Sequence, residues 1–318
     1  MEELRTYHPI HLDSLVIDTI LGFDLYAKMP NDRFVLICGR RFGFTSSHRD
    51  NLIANGTHTL FVADDDQSNY GEYIEQNLGQ VVSDPQVPSQ KKAELLYSVS
   101  KGVLLDAFSN PRSADMVRRT EEVMPHMVDV ILQGKESLQN LISIMSHDYY
   151  TFTHSINVCV FSVALANFVG LKDRAKLHDL AVGALLHDIG KSEVPKAILN
   201  KTGLLTTEEM EVMKSHVIRG EKILGDKNHM NSARMLPVSL HHERLNGKGY
   251  PRHLHTDQIH IHGKIAAIAD CFDAMTTNRP YKQAMKAFEA VQLMKGKFQD
   301  SYDQSLLGYL ILLLKKVQ

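Results

Sequence analysis

The chain has 318 residues, of which 43% are hydrophobic and 23% are charged, the usual range for globular proteins. This length predicts two domains rather than one. A formal net charge of −2 provides no basic excess, which argues against binding of long nucleic acids.

The first part of the chain carries the signals of a small α/β domain. Short β-rich runs at 23–29 and 33–39 flank a turn-like cluster, and the run at 58–64 predicts a third strand after a polar helical stretch. A short helix is predicted over 70–78. We therefore predict an α/β domain over 1–85 that regulates the rest of the chain or binds a partner.

An acidic run, Asp64, Asp65 and Asp66, follows the third predicted strand. The short strands lack the phosphoacceptor arrangement of a receiver domain. We interpret the run as a solvated loop.

Helical periodicity begins after this domain. Apolar residues lie on one helical face in 91–108 and again in 115–145. Pro125 and Gly134 interrupt the second stretch, so it is predicted to be kinked or split. We interpret 86–146 as a helical connector.

The remainder, 147–318, is predicted to be a helical bundle, which makes the fold mainly α. Gly170 and Gly190 stand where two of its helices end, a common stop signal. Thr206 and Glu209 have the spacing of a capping box. The predicted helices span 154–169, 175–189, 207–224, 230–242, 262–277 and 283–297.

Three features bear on the cellular compartment. Cys38, Cys159 and Cys271 match no zinc or disulfide spacing, which favours a reducing environment. The N-terminal sequence MEELRTYHPIHLD has no apolar stretch, so no signal peptide is predicted. The apolar run 306–314 is about half the length that spans a bilayer. We expect a cytoplasmic protein without a membrane span.

Histidines are concentrated in the second half of the chain, where His187 and Asp188 end an apolar helix. Both side chains are good ligands for divalent metals. The pair alone is a weak signal, but histidines and a buried aspartate recur on neighbouring predicted helices, and such an aspartate needs a cation or hydrogen bonds. A helical bundle can hold two metals with such ligands if one carboxylate bridges them. The candidates are His154, His187, Asp188, His216, His241, His242 and Asp270.

Several of these residues, and some others near the motifs, also have a simpler interpretation. His241 and His242 form a pair that a helix C-terminus favours electrostatically. Asp270 could be bonded to the backbone. Structural or solvent-exposed roles are the alternatives for Lys191, Tyr250, Arg279 and Lys282.

Two motifs resemble the HD-GYP family of metal-dependent phosphohydrolases. The first is HDIGK at 187–191, and the second is HHERLNGKGYP at 241–251, which matches the family pattern at each defining position. The segment IADCFDAMTTNRPYK at 268–282 also resembles the family, so the resemblance covers about 147–318. Residues 23–79 loosely resemble the small N-terminal domain often attached to it.

The resemblance implies a site for two divalent metals, with Asp188 as the bridge. Some family members place a glutamate one turn before His154 as a ligand to a third metal. This chain has Tyr150 there, so two metals are expected. Iron or manganese is the leading expectation, with nickel or zinc as alternatives. One metal would be held by His154, His187, Asp188 and Asp270, and the other by Asp188, His216, His241 and His242.

The resemblance also implies hydrolysis of cyclic di-GMP to linear pGpG, with GMP as a further product, by water activated between two metals. The alternatives are a non-catalytic cyclic dinucleotide sensor and an HD-type phosphohydrolase for another nucleotide. Gly247 and Gly249 are expected to permit close backbone approach. A homodimer or a protein partner would use the N-terminal domain. The catalytic candidates are Asp188 and Lys191, and the substrate contacts are Gly249, Tyr250, Arg279 and Lys282.

Overall fold

The structure is a computed structural model, which describes residues 5–29, 32–113, 115–145, 151–225, 230–278 and 283–317. It divides into two compact units, Met1–Val99 and Ser100–Gln318. One helix, Ser89–Ser109, contains the point of division.

The first unit is built on a four-stranded antiparallel sheet with strand order β1-β6-β3-β4. The strands at 25–28, 34–38 and 59–63 lie within the three predicted β-rich runs and confirm them, whereas the strand at 7–11 was not predicted. The two remaining strands pair with each other. The strands are β1 (Tyr7–His11), β2 (Thr19–Ile20), β3 (Leu25–Lys28), β4 (Phe34–Cys38), β5 (Gly43–Phe44) and β6 (Thr59–Ala63).

Two helices complete this unit, α1 (Ser46–Ala54) and α2 (Gln67–Ser83). Ile10, Leu60 and Val62 are buried on one face of the sheet, as alternation along strands requires. The apolar face of α2 is buried as well.

Asp66 corrects the interpretation of the acidic run as a solvated loop. Its side chain is only 2% exposed, and its carboxylate lies 3.0 Å from the Arg40 guanidinium. The backbone N–H of Asp24 and the Asn69 amide also donate to it. Asp64 and Asp65 are exposed, but with Asp66 they form a 3-10 turn rather than a loop, and the Asp64 carboxylate lies 2.7 Å from His8 Nε2.

The second unit is helical. The break predicted at Gly134 is confirmed, because this residue has a φ of 130° between two helices. The helices are α3 (Ser89–Ser109), α4 (Asp115–Leu132), α5 (Lys135–Ile144), α6 (Thr151–Phe168), α7 (Arg174–Leu185), α8 (Lys196–Leu199), α9 (Thr207–Lys214), α10 (His216–Gly225), α11 (Ser232–Leu240), α12 (Ile261–Thr276), α13 (Ala287–Lys295) and α14 (Gln304–Val317).

Four predicted helices are shorter than expected or interrupted: those over 230–242 and 283–297 are shorter, at Ser232–Leu240 and Ala287–Lys295, and two others are interrupted. The helix predicted over 207–224 is divided at Ser215, whose hydroxyl donates to the carbonyl of Val212 and competes with the helical pattern. The helix predicted over 175–189 ends at Leu185, and a 3-10 turn, Ile189–Glu193, follows it. The capping box of Thr206 is confirmed.

Helix α6 lies at the centre of the second unit and packs against α4, α7, α12 and α14. It is the one described helix long and apolar enough to cross a membrane by composition, yet 78% of that window is buried inside the fold. Packing against these neighbouring helices therefore explains why α6 is hydrophobic.

Gly190 lies where the 3-10 turn crosses α10. A Cβ atom at this position would stand 1.9 Å from the carbonyl oxygen of His216 and 2.5 Å from the backbone nitrogen of Gly220. Only glycine permits this approach, which brings the end of α7 against the start of α10.

We expect Gly190→Ala to lower the unfolding free energy by about 3 kcal/mol, because backbone atoms must move to accept the methyl group. Urea unfolding followed by far-UV circular dichroism measures the change. Gly308→Ala is the control, because its Cβ would meet nothing within 4 Å on α14 and alanine favours a helix by up to about 1 kcal/mol. Equal stabilities of the two variants would contradict this packing.

Candidate metal centre

The structure brings all seven predicted metal ligands into one cluster where α6, α7, α10, α11 and α12 meet. Asp188 lies at its centre and is 1% exposed. Its Oδ2 lies 3.4 Å from His187 Nε2 and 3.7 Å from His154 Nε2. Its Oδ1 lies 3.3 Å from His216 Nε2 and 3.9 Å from His241 Nε2. The two oxygens of one carboxylate therefore face two separate groups of imidazoles.

Asp270 also faces both groups, which the sequence did not predict. Its Oδ1 lies 3.2 Å from His154 Nε2, while its Oδ2 lies 3.6 Å from His242 Nδ1. The resemblance had assigned it to one metal only. Its place on α12, opposite the histidines of α6 and α11, explains the second contact.

Backbone carbonyls fix the orientation of three imidazoles. The Nδ1 atoms of His187, His216 and His241 lie 2.8, 2.7 and 2.9 Å from the carbonyl oxygens of Ala184, Met213 and Pro237. A carbonyl can only accept, so Nδ1 carries the proton and Nε2 presents a lone pair. Each ring thus points a free acceptor at Asp188, as a metal ligand requires.

A carboxylate fixes the fourth imidazole. His154 Nδ1 lies 2.7 Å from Asp273 Oδ2, and the other oxygen of Asp273 accepts from Asn157 at 2.9 Å and Thr277 at 3.2 Å. Sequence reasoning missed Asp273. The signal was available, since it follows Asp270 by three residues on the same helix and so shares its face.

Two polar atoms of the cluster have no hydrogen-bond partner within the part of the chain that the structure describes. They are His187 Nε2 and Asp188 Oδ1, both buried. Leaving such atoms unsatisfied is costly. A divalent cation would satisfy both, and imidazole with carboxylate is a donor set for borderline metals. The residues present therefore fit a metal.

The protonation states suit ligation. Burial lowers the pKa of His216 to about 4, and burial with neighbouring imidazoles holds the pKa of His241 and His242 well below the usual value. Burial alone would raise the pKa of Asp188, but Lys191 and His187 hold that pKa well below its usual range. At neutral pH the imidazoles of His216, His241 and His242 are therefore neutral and the Asp188 carboxylate is ionised.

Lys191 lies inside the cluster rather than in solvent. Its Nζ is 2.5 Å from Asp188 Oδ2, and its side chain is 13% exposed. The 3-10 turn after α7 produces this contact because Lys191 follows Asp188 by three residues.

Some predictions fall outside the described residues. The proposed phosphate contacts, Arg279 and Lys282, belong to this group. So does Tyr150, with the expectation that no third metal binds.

A model of the HD domain family matches residues 136–306, more than half of the chain. The chain belongs to the HD-domain family. Its HDIGK and HHERLNGKGYP motifs place it among the HD-GYP proteins.

Two curated proteins and one solved structure are similar to this HD-GYP protein. A cyclic di-GMP phosphodiesterase of Pseudomonas aeruginosa is 34% identical over 207 residues, which are 64% of this chain and 50% of that one. A 3'3'-cGAMP-specific phosphodiesterase of Vibrio cholerae is 37% identical over 155 residues, 48% of this chain and 33% of that one. The chain thus spans half or less of these relatives. An HDG"Y"P protein from Bdellovibrio bacteriovorus shares the fold, with 22% identity, a TM-score of 0.69, and coverage of 98% of this chain and 100% of that chain.

The loop that carries the GYP sequence is held by its own backbone. Glu243, 1% exposed, accepts from the backbone N–H groups of Arg252 at 2.7 Å and Leu254 at 3.0 Å. Gly247 has a φ of 72°, and a Cβ on Gly249 would stand 2.3 Å from the Arg244 nitrogen. The close backbone approach predicted for Gly249 is confirmed, and it is to the loop itself, whereas Gly247 approaches the side chain of His255.

Tyr250 lies beside the metal cluster. Its ring stacks on His242 with centroids 4.6 Å apart and an interplanar angle of 29°. Lys214 Nζ lies 5.7 Å from the centre of the same ring, and burial raises the pKa of the phenol. One face of Tyr250 is thus occupied by a predicted ligand.

We expect Asp273→Asn to weaken metal binding by about 10- to 100-fold, the usual effect of losing an outer partner of a ligating histidine. An amide can present N–H to His154 Nδ1, which would reverse the tautomer. Elemental analysis and chelator competition measure this. Asp257→Asn, an exposed change of the same kind, is the control, and equal affinities would contradict the role of Asp273.

Metal-free protein should lose stability as the pH falls from about 6.5 to about 4. The unfolded imidazoles bind protons near pH 6.5, whereas folded His216 does so only near pH 4 and His241 and His242 lower still. The unfolded state therefore binds more protons in this window, and each group contributes up to about 1.4 kcal/mol per pH unit.

Urea unfolding of chelator-treated protein at several pH values tests this, again by circular dichroism, because the chain has no tryptophan. His216→Asn, which does not titrate, should flatten the dependence. A pH-independent midpoint in the unmodified protein would refute the prediction.

Proposed function

We propose that this chain is a metal-dependent phosphodiesterase that hydrolyses cyclic di-GMP. The observation that carries the proposal is the position of Asp188, whose two oxygens face two groups of lone-pair-bearing imidazoles. Relatives named for hydrolysis of cyclic di-GMP and 3'3'-cGAMP support the choice of a cyclic dinucleotide.

The site would hold two divalent metals. When bound, they supply a water of lowered pKa and charge stabilisation for the attacking and leaving oxygens. Asp188 would bridge them, and the contacts of Asp270 with both groups make it a second candidate for that position. The first ligand set is His154, His187, Asp188 and Asp270, and the second is Asp188, His216, His241 and His242.

The residues of the chain itself do three things in this reaction. Asp273 and the backbone carbonyls hold four of the five imidazoles, those of His154, His187, His216 and His241, as the correct tautomer before any metal arrives. Lys191 holds a positive charge beside Asp188, where it would donate to a phosphoryl oxygen as negative charge develops. Burial of the cluster excludes bulk water, which strengthens both effects.

Substrate recognition would involve Gly249 and Tyr250, with Arg279 and Lys282 as phosphate contacts. Because His242 stacks on one face of the Tyr250 ring and Lys214 Nζ lies over the ring as well, a guanine base would contact the ring edge or displace Lys214. The first product would be linear pGpG, with GMP formed by a second hydrolysis. Iron and manganese are the leading metals.

The division of the chain into functional parts is also a proposal. It consists of a regulatory or partner-binding domain at 1–85, a connector at 86–146 and a catalytic domain at 147–318. The helix α3 lies within the proposed connector.

The test is turnover by protein prepared without oxygen and loaded with iron or manganese. We expect pGpG from cyclic di-GMP, with 3'3'-cGAMP, cyclic di-AMP and nucleotide monophosphates as competing substrates. Asp188→Asn should reduce both metal content and turnover by at least about a hundredfold, while Asp257→Asn should leave both unchanged.

No product from any cyclic dinucleotide with any divalent metal would rule out catalysis. Tight binding without turnover would favour a sensor, and faster hydrolysis of a monophosphate would favour a different phosphohydrolase.

A further inference from the structure

The first unit contains a cavity that the proposed reaction does not use. Its volume is about 220 Å³, room for about seven waters. About half of its wall is apolar, made by Leu15, Val16, Ile17, Val81 and Val87. The polar half is made by Asp13, Arg49, Gln80 and Asp84. A cavity of this size suits a small organic molecule rather than a dinucleotide.

Arg49 contributes a largely buried cation to the wall. Its side chain is 12% exposed, and its guanidinium makes one side-chain contact among the described residues, 3.5 Å to Asp13 Oδ1. This is the outer limit of a hydrogen bond. The other oxygen of Asp13 faces His11 Nδ1 at 3.3 Å. A guanidinium has five N–H donors, so Arg49 retains the paired donors that bind a carboxylate.

Asp84 supplies an anion to the same cavity. Its Oδ1 accepts from the backbone N–H of Gln86 at 2.8 Å. Its Oδ2 has no hydrogen-bond partner, and no lysine or arginine pairs with it, in the part of the chain that the structure describes. This oxygen is available to an ammonium group.

We propose that the cavity binds a small apolar α-amino acid. Its carboxylate would pair with Arg49, its ammonium with Asp84, and its hydrocarbon side chain would contact Val81 and Val87. Asp13 also lines the cavity, but its long contact with Arg49 leaves guanidinium donors unused, and Asp84 is a separate carboxylate. A zwitterion would engage both groups, whereas a simple acid would leave Asp84 without a partner and a simple amine would leave the unused donors of Arg49 without one.

The position of this cavity gives the binding a structural consequence. Asp84 and Val87 belong to the connection between α2 and α3, and α3 continues past Val99. A bound amino acid would contact this connection directly and reduce its local opening.

Isothermal titration of the full chain with L-leucine and L-valine tests the proposal. Saturable binding of one molecule per chain is expected. The matched probes are 4-methylpentanoate, which lacks the ammonium group of leucine, and 3-methylbutylamine, which lacks its carboxylate. Each should bind at least about tenfold more weakly. No saturable binding of either amino acid, or a probe that binds as tightly as leucine, would overturn the proposal.

Two variants locate the site. Arg49→Lys removes the paired donors and should weaken leucine binding about tenfold, whereas Arg41→Lys, an exposed residue outside the cavity wall, should not. Asp84→Asn keeps the bond to Gln86 but removes the charge, so it should weaken leucine and leave 4-methylpentanoate unaffected. Unchanged leucine binding in both cavity variants would reject the site.

Hydrogen exchange gives a readout that needs neither variant. Leucine should slow exchange of the backbone amides in 80–92, and an unchanged rate there at saturating leucine would also reject the site. None of these measurements involves metal or turnover, so the cavity and the proposed phosphodiesterase activity stand or fall separately.

Discussion

The second unit is organised around the burial of one carboxylate. Asp188 is almost completely removed from water, and two groups of imidazoles approach its two oxygens. Within the described residues, the Lys191 ammonium is the cation that contacts it. An ionised group in such a place is tolerated only with charge compensation and hydrogen bonds. Side chains on or next to five helices surround this carboxylate, so the packing of the helices and the chemistry of the site cannot be separated.

The surroundings of the cluster prepare its ligands before a metal binds. Carbonyl groups near the ends of α7, α9 and α11 accept the Nδ1 protons of three histidines, and the Asp273 carboxylate does so for a fourth. These groups lie where helices end, because only there are backbone carbonyls free to bond a side chain. The interruptions of the predicted helices at Ser215 and after Leu185 therefore belong to the site.

The two units place their charges differently. In the second unit, five histidines and the carboxylates of Asp188 and Asp270 converge on one cluster. In the first unit, Asp66 is satisfied by Arg40, Asn69 and a backbone N–H. Arg49 and Asp84 are instead only partly satisfied and line one cavity. The hydrogen-bonding groups of Asp66 are all used, so its ion pair with Arg40 is structural. Arg49 and Asp84 have hydrogen-bonding groups left over that a ligand can use.

The sequence by itself determined the helical class of the second unit, the strands β3, β4 and β6, and the seven candidate ligands. Apolar periodicity and the HD and GYP motifs are local signals that can be recognised in the sequence alone. Tertiary structure alone decided that Asp270 faces both histidine groups, that Asp273 orients His154, and that Asp66 is buried. Each of these depends on contacts between residues far apart in the chain, and the direction of a side chain toward such a partner is fixed only when the helices and strands pack.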